Sequence, residues 1–170
     1  MEEDGLRVGL GYDSHRFAPG RRLILGGVQI PHEQGLDGWS DADVVAHAVI
    51  DALCGAASLG DIGRLFPTGD PRCRDASSMT LLASVAGLVA AAGFEIVNVD
   101  VTVIAEQPLL APHIPGMQQQ LGAAMGVEPG RATVKAKTNE GMGFVGRGEG
   151  IAAFAVALLE SGMGQPSSAR

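Results

Sequence analysis

The run Leu6-Arg7-Val8-Gly9-Leu10-Gly11-Tyr12 ends in Asp13-Ser14-His15, and His47 follows inside Ser40-Asp41-Ala42-Asp43-Val44-Val45-Ala46-His47. In a strand, residues i and i+2 share a face, so Asp13 and His15 can address one point. Val44, Val45, Ala48, Val49, Ala52, Leu53 and Ala56 repeat with helical spacing, which places His47 on a helix. If the three groups converge, the first strand and the helix after it lie side by side. Two imidazoles and a carboxylate leave one tetrahedral position open, the arrangement of a catalytic rather than a structural zinc.

The remaining pattern is that of one domain. A chain of 170 residues can bury a core of its own. With 46% hydrophobic but only 4% aromatic residues, and 25 glycines, that core is built from Ala, Val, Leu and Ile between many tight turns. A net charge of −7 excludes a nonspecific nucleic-acid binder, which needs a basic footprint. Cys54 and Cys73 lack metal-ligand spacing and read as free thiols in a reducing compartment. The acidic start Met1-Glu2-Glu3-Asp4-Gly5 is unlike a signal peptide, and no apolar stretch approaches the ~20 residues of a membrane span. A cytoplasmic protein without membrane or nucleic-acid partners is expected.

Residues 6–12 read as a strand, and residues 22–30 as a short hairpin turned at Gly26-Gly27. The first helix is expected to begin at Ser40, with Ser40 and Asp43 as a capping-box-like pair and Trp39 stapled onto Val44. Helices are expected over 77–92, ended by Gly93, and over 114–125; strands over 96–105 and 132–138. Residues 151–159 are ambiguous, since alanine favours helix while length and β-branching permit a buried strand. An ordered core over 6–160 and a fraying tail over 162–170 complete the picture. The Gly/Pro/Asp-rich segment 60–71 is too elaborate for a plain connector.

A second cluster, Lys137-Thr138-Asn139-Glu140-Gly141-Met142-Gly143-Phe144 followed by Gly146-Arg147-Gly148-Glu149-Gly150, leaves a strand for a Gly-rich loop. Lys, Thr and open backbone suit a phosphate, and Glu140 suits a hard divalent cation. With Gly11-Tyr12-Asp13-Ser14-His15, Ser40-Asp41-Ala42-Asp43 and His47, residues 59–67, Asn98-Val99-Asp100-Val101-Thr102 and Pro112-His113-Ile114, the chain closely resembles the 2-C-methyl-D-erythritol 2,4-cyclodiphosphate synthase family of non-mevalonate isoprenoid biosynthesis.

The resemblance implies an α+β homotrimer, each subunit a mixed sheet of four main strands with helices packed on one face, and active sites between subunits. Residues 151–159 then become a strand. It implies an intramolecular attack that turns 4-diphosphocytidyl-2-C-methyl-D-erythritol 2-phosphate into the cyclic diphosphate and CMP. Asp13, His15 and His47 would hold zinc, Glu140 a second divalent ion (Mg²⁺ or Mn²⁺), and Thr138 would donate to the phosphates. Ser14, Ser40, Asp61, Ile62 and Gly63 would position substrate, and Phe66, Pro67, Thr68, Gly69 and Asp70 would surround the methylerythritol. Ala105, Glu106, Gln107, Pro108, Leu109, Leu110 and Ala111, from the adjacent subunit, would read cytosine through backbone groups. Lys137, Asn139, Phe144 and Arg147 would complete the substrate side, Arg147 and Glu149 also suiting trimer contacts. Asp51 could orient an imidazole or simply face solvent; His32 and His113 are assigned to turn and loop structure.

Trp39 departs from the family pattern, which usually has His there as a transition-state stabiliser; an indole has one N–H donor and no positive charge. Loss of such a donor costs about 2.7–4 kcal/mol in a transition state. Leu109 and Gly141 replace frequent lysines. Trp39 opens a second reading, a noncatalytic zinc-containing trimer that binds a cytidine nucleotide or isoprenoid diphosphate. A zinc phosphohydrolase is a third.

Overall fold

The computed structural model describes residues 5–162; the tail expected over 162–170 lies, past Gly162, outside the described residues. Strand β1 (Leu6–Pro19) does not stop at Tyr12 but carries Asp13 and His15 within it. The hairpin β2 (Leu23–Leu25) and β3 (Val28–Ile30) turns at Gly26 and Gly27, with φ of +55° and +76°. Positive φ at both central positions is what a tight hairpin turn demands, and glycine meets it without strain. A short strand β4 (Gln34–Leu36) follows, then α1 (Val44–Ala56), the single-turn α2 (Ile62–Leu65) and α3 (Ser78–Ala91). Strand β5 (Phe94–Ile104), α4 (Ile114–Met125), β6 (Ala132–Lys137), α5 (Gly143–Gly146) and β7 (Gly150–Ser161) complete the chain.

The sheet has five strands in the order β4-β1-β7-β5-β6, one more than the four main strands expected. The extra member is β4, which pairs with the last three residues of β1, past the Arg16↔Gly150 pair where β7 begins. Among the described residues only β5 and β6 pair in parallel, so the sheet is mixed as expected.

Residues 151–159 are strand. Ala153, Ala155 and Ala157 point to the buried face, in register with Asp13, Gly11 and Gly9 of β1. Helix α1 lies so close there that a Cβ on Gly9 or Gly11 would meet the carbonyl oxygens of Ala52 and Ala48 at 1.9 and 1.8 Å. Only small side chains fit, and this packing overrides alanine's preference for helix.

Helix α1 begins at Val44, not Ser40. Ala42 takes a φ of +57°, which breaks helical continuity, and Asp43 becomes the N-cap, accepting from the N–H groups of Val45 and Ala46 at 3.1 Å. The same buried carboxylate accepts from Gly26 and Gly27 at 2.8 and 2.7 Å, tying the hairpin turn to the helix start. Trp39 therefore does not staple this helix. Helix α4 covers the expected 114–125, and Gly126 after it is left-handed.

The core, including Val99, Val101 and Val103 of β5, lies between one sheet face and the helices. The other face exposes Leu6, Val8, Leu10 and Tyr12 of β1 beside Phe154 and Val156 of β7. No helix among the described residues is long and apolar enough to cross a membrane.

Candidate metal centre

Asp13 and His15 leave β1 on the face that α1 covers, and His47 comes to meet them one turn into α1. Asp13 Oδ2 lies 2.9 Å from His15 Nε2 and 2.9 Å from His47 Nδ1, and the two nitrogens are 3.2 Å apart. Tetrahedral ligands about 2.0–2.2 Å from zinc stand roughly 3.3 Å from one another, so the donor set has the right size as well as the right chemistry. The other nitrogen of His15, Nδ1, is 2.5 Å from the Asp37 carbonyl. A carbonyl only accepts, so Nδ1 donates and Nε2 is left with its lone pair toward the cluster.

Burial works against the Asp13 carboxylate, but hydrogen bonds and charge from His15 and His47 outweigh it and hold the group well below the usual carboxylate range. Burial also opposes a charged His15, yet Asp13 and the Asp37 carbonyl raise its pKa above the ordinary value. The buried Cys54 thiol is pushed up to about 11, chiefly by desolvation, and is inert.

A cavity of about 200 Å³ opens onto the cluster, lined also by Trp39, Ser40, Ile62, Gly63, Phe66 and Thr68. Leu81 and the buried Cys73 share this lining; neither stood out in the sequence, because apolar walls carry no motif. Trp39 borders this cavity while its Nε1 donates to the Asp70 carbonyl at 2.9 Å, and the Arg74 guanidinium sits 5.8 Å from its ring. Its one donor thus ties Trp39 to the Phe66–Asp70 segment. Asp61 caps α2 by accepting from Arg64 N–H at 2.8 Å. Asp51 is half-buried and bonds to no imidazole; it accepts from Ile62 N–H at 2.8 Å and so anchors the start of α2.

The second cluster sits at the same end of the sheet. Glu106 Oε1 accepts from Asn139 and Gly141 N–H at 2.7 and 3.3 Å, joining the 105–111 loop to the turn after β6. Thr138 donates to Glu140 Oε1 at 3.2 Å, with Glu140 at a φ of +52°. Lys137 and Leu109 are exposed. Phe144 lines a separate cleft of about 700 Å³ with Ser14, His15 and Arg16, and Arg147 pairs with Glu149 at 2.6 Å. His32 bonds within its own turn and stacks on Phe17, and His113 precedes α4; neither belongs to the Asp13–His15–His47 cluster.

The YgbB family model matches residues 6–160. The chain belongs to this family. The 2-C-methyl-D-erythritol 2,4-cyclodiphosphate synthase of Dehalococcoides mccartyi is 56% identical to this YgbB-family chain over 155 residues, spanning 91% of this chain and 99% of that protein. The synthase of Symbiobacterium thermophilum is 58% identical over 152 residues, spanning 89% and 97%. Among solved structures, IspF of Plasmodium falciparum in complex with CDP superposes with a TM-score of 0.82 at 30% identity, covering 95% of this chain and 99% of that one.

What sequence reasoning missed in this YgbB-family chain lies behind His47. Ser40 Oγ and Ser78 Oγ stand 3.2 and 3.0 Å from His47 Nε2, and Ser78 in turn bonds to Asp41. Ser78 is far from His47 in sequence and heads a different helix, so no spacing rule could have found it.

Proposed function

We infer that the Asp13–His15–His47 cluster is the catalytic metal centre of a cyclodiphosphate synthase. As a member of its family, the enzyme converts 4-diphosphocytidyl-2-C-methyl-D-erythritol 2-phosphate to 2-C-methyl-D-erythritol 2,4-cyclodiphosphate and CMP, and is a phosphorus–oxygen lyase of non-mevalonate isoprenoid biosynthesis. The observation that carries the metal assignment is the convergence of one carboxylate and two imidazoles from β1 and α1 within 3.2 Å.

The 2-phosphate is ionised near neutral pH and CMP leaves as a stable anion, so proton transfer is not the task; alignment and charge neutralisation are. When bound, zinc at the cluster and a second divalent ion at Glu140 would supply Lewis-acid polarisation and charge neutralisation at the diphosphate. Thr138 donates to phosphate oxygens, Lys137 adds local positive charge, and Asp61 with Gly63 orients the sugar. The Phe66–Asp70 lid, pinned by Trp39, excludes water around the methylerythritol. The 105–111 loop reads the cytosine of a CDP-containing substrate.

The sheet register supports sites shared between subunits. Ser14, Ala152, Ile104 and Lys137 lie in one row across four adjacent strands. Three inter-strand steps are about 14 Å, whereas paired cations acting on one phosphoryl group sit about 3.5–4 Å apart. The metal cluster of one copy and the Thr138–Glu140 turn of another would together make one site. The exposed apolar stripe of β1 and β7 supplies a face for a closed homotrimer.

Release of CMP from the diphosphocytidyl substrate tests the reading. Chelation should abolish release and zinc should restore it, and Asp13→Ala should neither bind zinc nor turn over. Activity that survives complete removal of metal overturns the assignment.

A further inference from the structure

His47 is held from behind as firmly as from the front. Ser78 is wholly buried at the start of α3, and its hydroxyl donates to Asp41 Oδ1. Asp41 Oδ2 accepts from the Ser78 backbone N–H at 2.9 Å. A hydroxyl has one proton to give. With that proton on Asp41, Ser78 Oγ meets His47 Nε2, 3.0 Å away, as an acceptor only, so Nε2 carries the ring hydrogen. Ser40 Oγ, 3.2 Å from Nε2 and already accepting from Ala42 N–H, fits the same assignment. The lone pair of the ring is then on Nδ1, the atom 2.9 Å from Asp13 Oδ2.

We propose that Asp41 and Ser78 are positioning residues that lock His47 in its Nε2–H tautomer and make Nδ1 a stronger donor to the cation. The inference rests on the metal-centre reading above. His15 is locked by a backbone carbonyl, that of Asp37, which no side-chain substitution removes. His47 is locked by a carboxylate–hydroxyl relay spanning the loop before α1 and the first turn of α3, and that relay can be dismantled. Without the carboxylate, Ser78 can rotate its proton toward Nε2 and favour the tautomer whose Nδ1 carries hydrogen and cannot bind metal. The same Asp41 oxygens also satisfy the head of α3, where the N-cap Ser77 makes no side-chain hydrogen bond.

Ser78→Ala removes the hydroxyl while leaving the bond from Asp41 to the backbone N–H. Zinc affinity, measured by chelator competition on the folded protein, should fall about 10- to 100-fold. Ser78→Thr should restore it, and Asp41→Asn should give an intermediate loss. In the zinc-loaded parent, the His47 Nε2–H proton should exchange slowly with solvent, and in Ser78→Ala it should exchange faster. The cobalt-substituted variant should show altered visible bands, and kcat should drop more than KM rises. If Ser78→Ala and Asp41→Asn both hold zinc as tightly as the parent, the relay is overturned while the metal centre stands. If the parent takes up no zinc, the metal centre falls and the relay with it. Should Ser78→Ala not fold, Asp41→Asn decides between these results.

Discussion

Asp13 carries the negative charge against which both imidazoles lean, and the consequence for stability depends on whether metal is present. In the metal-free protein, the lowered Asp13 pKa contributes stability above the unfolded value of 3.8 and loses it as pH falls below that value. The raised His15 pKa contributes stability below 6.5 and loses it as pH climbs through the folded value. The chelated protein should therefore melt at a lower temperature at pH 8 than at pH 6. The stabilisation added by zinc should run the other way, because His15 must release its proton to bind metal. Thermal midpoints at both pH values, with and without zinc, check both signs. Trp39 makes a second residue-scale prediction. Its N–H is spent on the Asp70 carbonyl, so Trp39→Phe should loosen the lid and raise KM about 2- to 10-fold, the worth of one hydrogen bond, with kcat little changed. A fall in kcat alone would place the indole at the phosphates instead.

At the scale of elements, the critical contact is β1 against α1, because it sets the distance from Asp13 and His15 to His47. Gly11 marks the closest approach. Gly11→Ala should destabilise by about 1–3 kcal/mol or more through overpacking against backbone, and should weaken zinc binding by prising the ligands apart. Gly55 on the same helix has open space around it. Gly55→Ala should stabilise by up to about 1 kcal/mol and leave zinc binding alone. Denaturant unfolding and zinc stoichiometry on the two variants test the contrast. Elements with self-contained signals were legible in sequence. Helix α4 was bounded by its own periodicity, the end of α3 was marked by Gly93, and the β2–β3 turn by Gly26-Gly27. Elements whose form depends on a distant neighbour were not. The start of α1 turns on Ala42 and on Asp43 reaching Gly26, the alanines of β7 on α1, and β4 on the end of β1.

At the scale of the molecule, the proposed site needs two copies, because the width of the sheet keeps the two clusters of one copy apart. Co-expressing Asp13→Ala with Glu140→Ala tests this directly, since each variant alone lacks one half of every site. In randomly mixed cyclic trimers about a quarter of the interfaces pair the two intact halves, so about a quarter of parental CMP release should return. Mixtures that stay inactive, although mixed trimers are verified by native mass spectrometry, would place both halves of the site within one chain.

The amino-acid order alone determined which chemistry was available. Asp13-x-His15 shares a strand face by the two-residue repeat, His47 sits on a helix by the 3.6-residue repeat, and Lys137 to Glu140 leave a strand for a phosphate-sized turn. These are short-range regularities, readable because backbone geometry repeats over a few residues. Only the tertiary structure decided that Asp41 and Ser78 stand behind His47, that Asp51 bonds to the start of α2 rather than to an imidazole, and that Trp39 bonds to Asp70. It also set the row from Ser14 to Lys137 that parts the two clusters. Those relations join residues tens to more than a hundred positions apart, and packing and strand register, which no local repeat encodes, bring them together.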